Sequence, residues 1–104
     1  MGGVTQESID AIRALDESDR RHSYWYFHWE DEGSHWFVET VDDNGESWPV
    51  KQLVIEADGT SNRYWWEHME DEAGGLGDQA LDPSFPGIEA IDATMFFERW
   101  RTAG

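Results

Sequence analysis

The sequence predicts an α+β fold with an N-terminal helix, a four-stranded antiparallel β-meander, a long loop and a C-terminal helix. Aromatic and β-branched residues are concentrated in four short segments that turn residues separate, as in a meander. Apolar residues recur at helical spacing near both ends of the chain. With 104 residues we expect one domain, residues 1–104. Residues 1–22 are expected to form a helical extension, and residues 23–104 the meander and the second helix.

The first helix is predicted over residues 6–17. Thr5 is a typical N-cap, and Val4 and Ile9 have the spacing of a hydrophobic staple. Glu7 places a negative charge in the first turn, where it interacts favourably with the helix dipole. The helix has a narrow apolar stripe of Ile9, Ile12 and Leu15.

The first hairpin contains the strongest strand signal, because every residue from 24 to 29 except His28 is aromatic. A second strand is predicted over residues 35–41. If the loop is residues 31–34, Trp29 pairs with Trp36. That register places Trp25, Phe27, Trp29, Trp36 and Val38 on one face; a three-residue loop would place Phe37 and Val41 there instead.

Two further strands are predicted over residues 48–56 and 62–66. Asn44-Gly45 and Asp58-Gly59 are typical turn dipeptides before them. Pro49 lacks an N–H group, so we expect it at a strand end or an edge.

After Glu67 the pattern changes to an acidic, glycine-rich loop, expected to lack regular structure as far as residue 87. Loops of this length are often functional or mobile. Asp92 is the predicted N-cap of a closing helix over residues 93–101. Phe96 and Trp100 lie four residues apart, on one face of that helix.

The charge of the chain limits its partners. Its 23 acidic and 7 basic residues give a formal net charge of −16. The negative electrostatic field of such a charge repels nucleic acid and anionic membranes and attracts basic proteins. We therefore expect a basic protein partner, no nucleic acid and no membrane; the oligomeric state stays open. The alternative is that the acidity serves solubility or adaptation to high salt.

The chain contains no cysteine, which excludes disulfides and thiolate metal sites and suits a reducing compartment. The sequence has no visible signal peptide and no apolar run of membrane-spanning length. We therefore expect the protein in the cytoplasm.

Several short motifs follow one another in a specific order over residues 24–100. They are Phe27-His28-Trp29-Glu30, Asp43-Asn44-Gly45-Glu46, Leu53-Val54-Ile55, Asp58-Gly59, Gly75-Leu76-Gly77, Asp82-Pro83-Ser84-Phe85, Ile91-Asp92 and Phe97-Glu98-Arg99-Trp100. In this order they resemble a family of small bacterial proteins known only as a domain of unknown function. The chain departs from the family at Lys51-Gln52, where an Arg-Lys pair is usual, and at Trp65-Trp66, where a small residue is usual after the tyrosine. The resemblance implies no particular activity. By analogy of size and charge alone, similar acidic proteins often act as immunity partners of secreted bacterial toxins.

No catalytic residue, metal site or cofactor is predicted. The four histidines, His22, His28, His35 and His68, lack the short spacing of zinc ligands, and we expect His28 and His35 on opposite faces. Glu39 is the best candidate for acid–base chemistry, but coincidental proximity is expected among so many acids. The chain lacks a nucleophile elbow and a phosphate-binding loop. We therefore expect a protein that is not an enzyme.

The aromatic sheet is the sharper functional signal. One face must build the core against the helices, and the other then offers Tyr24, Tyr26 and Phe37; alternatively, helices and loop cover both faces. Exposed Tyr and Trp surrounded by acids are typical of protein-binding surfaces. The predicted partner-binding residues are Tyr24, Tyr26, His28, Glu30, Asp31, Glu32, Trp65, Trp66, Glu70, Asp71 and Glu72.

The sequence therefore predicts a small acidic, non-enzymatic protein-binding module, such as an immunity or inhibitor protein against a basic toxin. A second hypothesis is a small enzyme or ligand-binding domain with a pocket around His28, Glu39 and Tyr26. A third is an acid-adapted protein without a specific partner, which predicts stability that rises steeply with molar salt.

Overall fold

The computed structural model confirms the α+β fold and describes residues 5–77 and 79–103. The helices are α1 (Gln6–Asp16) and α2 (Ala93–Thr102), and the strands are β1 (His22–Trp29), β2 (Ser34–Asp43), β3 (Glu46–Ile55), β4 (Ser61–Tyr64), β5 (Glu70–Asp71), β6 (Gly74–Gly75) and β7 (Glu89–Ile91). Five strands form an antiparallel sheet in the order β4-β3-β2-β1-β7, and β5 and β6 form a separate two-stranded hairpin. The first four strands are the predicted meander.

Three strands after β4 were not predicted: β5 and β6 lie within the predicted loop and correct the expectation that it lacks regular structure, and β7 follows that loop. Strand β7 pairs with β1, with Ile91 opposite Tyr24 and Glu89 opposite Tyr26. It is three residues long, and β5 and β6 are two residues each. Segments this short cannot display the alternation that marks a strand in a sequence.

Both helices begin at their predicted caps. The Thr5 hydroxyl accepts a hydrogen bond from the Ser8 N–H at 3.1 Å, and the Asp92 carboxylate accepts one from the Met95 N–H at 2.7 Å. Each cap satisfies one N–H group that has no partner inside its helix. The predicted staple between Val4 and Ile9 cannot be assessed, because Val4 lies outside the described residues.

The first hairpin corrects the predicted register. Phe27 lies opposite Trp36, and Trp29 lies opposite Ser34 rather than Trp36. The turn occupies residues 30–33, one residue earlier than expected, so the pairing moves by two residues. A shift of two preserves which side chains share a face. The expected face of Trp25, Phe27, Trp29, Trp36 and Val38 is therefore formed, and we call it the tryptophan face.

The second hairpin agrees with its turn chemistry. Asn44 and Gly45 both have positive φ, at 55° and 82°, as a two-residue hairpin turn requires. Pro49 lies at a register irregularity opposite Thr40, outside the part of β3 that pairs with β4. At that position β3 does not pair with β4, so no hydrogen bond to β4 requires the N–H group that proline lacks. This agrees with the expected edge position of Pro49.

Helix α2 packs on the face opposite the tryptophan face. Phe96 is fully buried there, with its ring centroid 5.4 Å from Tyr24 and 5.8 Å from Trp100. On the tryptophan face, Gln52 donates a hydrogen bond to the Gly75 carbonyl at 3.0 Å, which holds the β5–β6 hairpin against the sheet. Both faces are therefore covered at least in part, which agrees with the alternative that the helices and the loop cover both faces of the sheet. The core around Phe96 consists of Phe37 and Leu53, with Tyr24, Tyr26, Ile55, Ile91, Phe97, Trp100 and Ala103 packed against it.

We expect Phe96→Ala to lower the free energy of unfolding by about 3–5 kcal/mol, because it removes a fully buried ring and leaves a cavity. The matched control is Met95→Ala, one residue earlier on α2, where the side chain is 47% exposed; this change should cost less than about 1 kcal/mol. Urea unfolding of the two variants measures both values. Equal losses would contradict the packing described for α2.

Candidate functional site

A buried group of charged side chains connects α1, β1, β2 and β3. Glu39 on β2 has 3% of its side chain exposed. His22 donates a hydrogen bond from Nδ1 to Glu39 Oε2 at 2.6 Å and another from Nε2 to the Ser18 carbonyl at 3.1 Å. Because both ring nitrogens face acceptors, the arrangement favours the doubly protonated, charged imidazolium.

The pKa of His22 reflects opposing effects. Burial lowers it, but the hydrogen bond to Glu39 raises it, and so do the hydrogen bond to Ser18 and the charges of Glu39 and Asp16. The interactions that favour the charged form prevail, so the pKa lies above its ordinary value. His22 thus becomes charged more readily in the folded protein than an ordinary histidine does, as the partner of Glu39.

Lys51 on β3 completes the group. Its Nζ lies 2.5 Å from Asp16 Oδ1 and 3.2 Å from Glu39 Oε1. The second contact is not aligned as a hydrogen bond, so Glu39 Oε1 is buried with an ion-pair partner only. Asp16 is the last residue of α1, and the ion pair therefore fixes the end of that helix to the sheet.

The same group resembles the beginning of a metal site, because donor atoms of Asp16, His22 and Glu39 lie within 4.8 Å of one another. The ammonium group of Lys51 contacts both carboxylates and supplies the positive charge that a cation would supply. The arrangement therefore favours a structural ion network. Sequence reasoning missed the group because its members come from four elements and show no ligand spacing.

Within the described residues, the structure does not bring together His28 and Glu39, around which a pocket was expected. Glu39 lies opposite Tyr24, four residue pairs along the hairpin from the pair of His28 and His35, and is buried beneath its own ion partners. His28 lies opposite His35, and their rings stack with centroids 4.4 Å apart. The expectation that these two histidines point to opposite faces is therefore wrong: directly paired residues share a face.

The predicted binding residues Tyr24 and Tyr26 lie on the face covered by α2. Both are half-buried, and the Tyr24 ring contacts Phe96 and Phe97 at centroid distances of 5.4 Å and 5.8 Å. The Tyr26 hydroxyl is 2.8 Å from His35 Nδ1. Much of their surface therefore serves the core, and neither forms a free aromatic patch.

The two predicted tryptophans after β4, Trp65 and Trp66, also pack against residues of the helices. Trp65 packs edge-on against Trp100, with centroids 5.7 Å apart. Trp66 lies under the guanidinium of Arg13 at 4.7 Å, a favourable cation–π arrangement. Both indoles are half-buried and connect the loop to α2 and α1.

The predicted acidic residues Glu70, Asp71 and Glu72 lie in the β5–β6 hairpin and are exposed. Asp71 accepts hydrogen bonds from the Tyr64 hydroxyl at 2.9 Å and from His68 Nε2 at 3.1 Å. The bond from His68, followed by that from Tyr64, lowers the pKa of the Asp71 carboxyl. Asp71 thus organises its own hairpin, and its two acidic neighbours remain available to solvent.

Exposed aromatic rings instead meet at the end of β1. Trp29 is 45% exposed and Phe85 is 58% exposed, and both line a hollow of about 140 Å³ together with Phe27 and Ile88. We call these four residues the aromatic tip. The next three residues after Trp29 are Glu30, Asp31 and Glu32, which are all exposed.

The predicted binding residues Glu30, Asp31 and Glu32 lie in the turn between β1 and β2, but sequence reasoning missed the aromatic residues beside them. Trp29 lies on the tryptophan face, as expected, but that face is uncovered at this end. Phe85 lies in a loop rich in proline and glycine, where a large apolar side chain has few local neighbours. An isolated phenylalanine in such a loop is the signal that could have identified it.

Comparisons of the chain with protein-family models, curated proteins and solved structures gave no match. The resemblance to a bacterial domain of unknown function therefore stays a prediction. Within the described chain, neither helix has the length or the apolar character needed to cross a bilayer.

We expect Lys51→Met to lower the free energy of unfolding by about 3 kcal/mol, because it leaves Asp16 and Glu39 as neighbouring, largely buried carboxylates. The matched control is Arg20→Met, since the Arg20–Asp43 pair is 53% and 41% exposed and should contribute less than about 1 kcal/mol. Urea unfolding compares the two. A loss in Lys51→Met no greater than that in Arg20→Met would contradict the ion network.

The raised pKa of His22 makes its stabilisation dependent on pH. The contribution is fully present below the unfolded-state pKa of about 6.5 and is lost as pH rises through the higher folded-state value. The stability difference between the wild-type protein and His22→Gln should therefore be larger at pH ~6 than at pH ~9. In a Glu39→Gln background this pH dependence should shrink. A difference that grows towards pH ~9 would be inconsistent with the arrangement.

Proposed function

We propose that this chain is a small acidic, non-enzymatic protein-binding module that binds a basic protein partner at the aromatic tip. The observation that carries the proposal is the exposure of Trp29 and Phe85 around one hollow beside an acidic turn. Tryptophan is the residue most enriched among binding hot spots, and exposed apolar patches commonly mark interaction sites. The tip therefore offers apolar contact energy.

The charge distribution supports a basic partner. In the described ranges, arginine and lysine side chains form ion pairs with four carboxylates, Asp16, Glu17, Glu39 and Asp43. The chain has 23 acidic residues, so most of its negative charge is not neutralised locally. Such a field speeds the encounter with a positively charged surface, and the effect weakens as salt increases.

Inhibition of a toxin is the biological role that we propose for this binding. A basic toxin such as a nuclease presents positive charge where it holds phosphates, and the turn of Glu30, Asp31 and Glu32 offers carboxylates in their place. Trp29 and Phe85 would anchor the turn by filling an apolar site on the same partner. The proposal places the module in the cytoplasm, since a chain without cysteine suits a reducing compartment.

A displayed library of random peptides, selected on the immobilised protein at low salt, tests the proposal. Enriched peptides should combine several lysines or arginines with a large apolar residue. The Kd of a selected peptide should weaken by about 30-fold or more in Trp29→Ala and in Phe85→Ala, as expected for hot-spot residues. It should also weaken between ~0.05 M and ~0.5 M NaCl, because salt screens the acidic turn.

The matched control is Met95→Ala, which removes another exposed apolar side chain from the opposite face and should leave the Kd unchanged. Selected peptides without basic residues, or equal affinity in the Trp29→Ala variant, would overturn the proposal. Failure to enrich any peptide, together with stability that rises steeply up to molar salt, would favour the acid-adapted protein without a specific partner.

A further inference from the structure

A second concave surface lies on the opposite face of the sheet, between α2 and the edge formed by β7. It is a groove of about 500 Å³, within the range of small-molecule sites. Its apolar floor and wall are formed by Phe37, Ile55, Ile91 and Met95. Phe37 belongs to the buried core, whereas Met95 is 47% exposed. We call this surface the α2 groove.

Two side chains of opposite charge line the α2 groove. Glu89 lines it from β7 and Arg99 lines it from α2, one turn after Met95. Both residues are exposed, and the ion pairs formed within the described residues include neither of them. An acid and a base thus face one apolar cavity without neutralising each other directly.

A hydrogen-bonded pair of rings, Tyr26 and His35, also lines the groove, and Tyr26 lies directly opposite Glu89 in the sheet. The Tyr26 hydroxyl is 2.8 Å from His35 Nδ1, and the Tyr26 ring lies 5.0 Å from the Phe37 ring, centroid to centroid. Aromatic faces attract ammonium groups. The side of the groove formed by Glu89 and Tyr26 therefore suits a cation, and the side formed by Arg99 suits a carboxylate, which a guanidinium can bind through two hydrogen bonds.

We propose that the α2 groove binds a small zwitterion with an apolar body, of the class of aromatic amino acids and short apolar peptides with free ends. The ligand carboxylate pairs with Arg99, its ammonium group with Glu89, and its side chain covers Phe37, Ile55 and Met95. The net charge of −16 disfavours ligands that are anions overall, and a zwitterion avoids that repulsion. Apolar contact with two convergent charges is the usual composition of a small-molecule site.

The inference is independent of the proposed protein-binding function. Alternation along β1 places Tyr26 on the groove side and Phe27 and Trp29 on the tryptophan face. A ligand in the α2 groove therefore does not occupy the aromatic tip. Either proposal can fail without affecting the other.

Titration of the ¹⁵N-labelled protein with L-phenylalanine, followed by NMR, tests the inference. Amide signals of residues around Ile55, Glu89 and Arg99 should shift in a saturable way, whereas those around Trp29 and Phe85 should not. N-acetyl-L-phenylalanine lacks the ammonium charge and L-phenylalanine amide lacks the carboxylate. Each analogue should bind at least about tenfold more weakly, because each leaves one charged partner unmatched.

Variants of Glu89 and Arg99 then show which charged group of the ligand each residue binds. Glu89→Gln should weaken the binding of L-phenylalanine, so that it binds no more tightly than the N-acetyl analogue. In Arg99→Gln, L-phenylalanine should bind no more tightly than the amide. The matched controls Glu98→Gln and Arg101→Gln change charges on α2 outside the groove and should preserve binding. Unchanged thermal melting shows that each variant is folded. Absence of saturable shifts, equal binding of all three compounds, or shifts centred elsewhere would overturn the proposal.

Discussion

The fold depends on one constraint: an aromatic sheet with two apolar faces must be covered by a chain of 104 residues that carries a charge of −16. Helix α2 covers one face through Phe96, which is fully buried. The β5–β6 hairpin covers part of the other through Gln52 and Tyr64, whose hydroxyl donates to Asp71. Burial of apolar area dominates the stability of such a small domain, so every uncovered aromatic ring requires an explanation.

The acidic residues divide into two groups with different physical roles. Glu39 is buried, and its charge is balanced by His22 and Lys51. Because Lys51 also pairs with Asp16, this network fixes α1 and three strands to one another. Removing any member of such a network costs more than the network contributes, because a buried charge loses its partner. Residues 30–32 lie in solvent and provide a negative field without holding the fold together. The first group stabilises the fold, and the second is available to contact a partner.

Much of the fold follows from local patterns that the sequence displays directly. Thr5 and Asp92 mark the helix starts because their side chains satisfy free N–H groups. Asn44-Gly45 marks a hairpin because both residues accept positive φ. Strand β7 escaped prediction because its three residues become a strand only through pairing with β1. The α2 groove depends on β7 for Glu89 and Ile91, so its position could not be predicted either.

The choice of the face covered by the helices also lay beyond sequence reasoning. Trp25 and Trp36 are larger than Tyr24 and Phe37, but α2 packs on the second pair, and the β5–β6 hairpin covers only part of the tryptophan face. Alternation assigns residues to faces without stating which face meets which element. The consequence is that the tryptophan face ends in an uncovered ring at Trp29. The aromatic tip is therefore a result of the tertiary arrangement rather than of a motif.

The central claim is that Trp29 is the most solvent-exposed tryptophan of the folded protein and that the other indoles are largely covered. Fluorine NMR of the protein labelled with 5-fluorotryptophan measures this directly, with each signal assigned by one Trp→Phe variant. The account predicts that the Trp29 signal has the largest shift between H₂O and D₂O, since Trp29 is 45% exposed. A shift for Trp29 as small as that for Trp25 would contradict the uncovered tip and the binding function built on it.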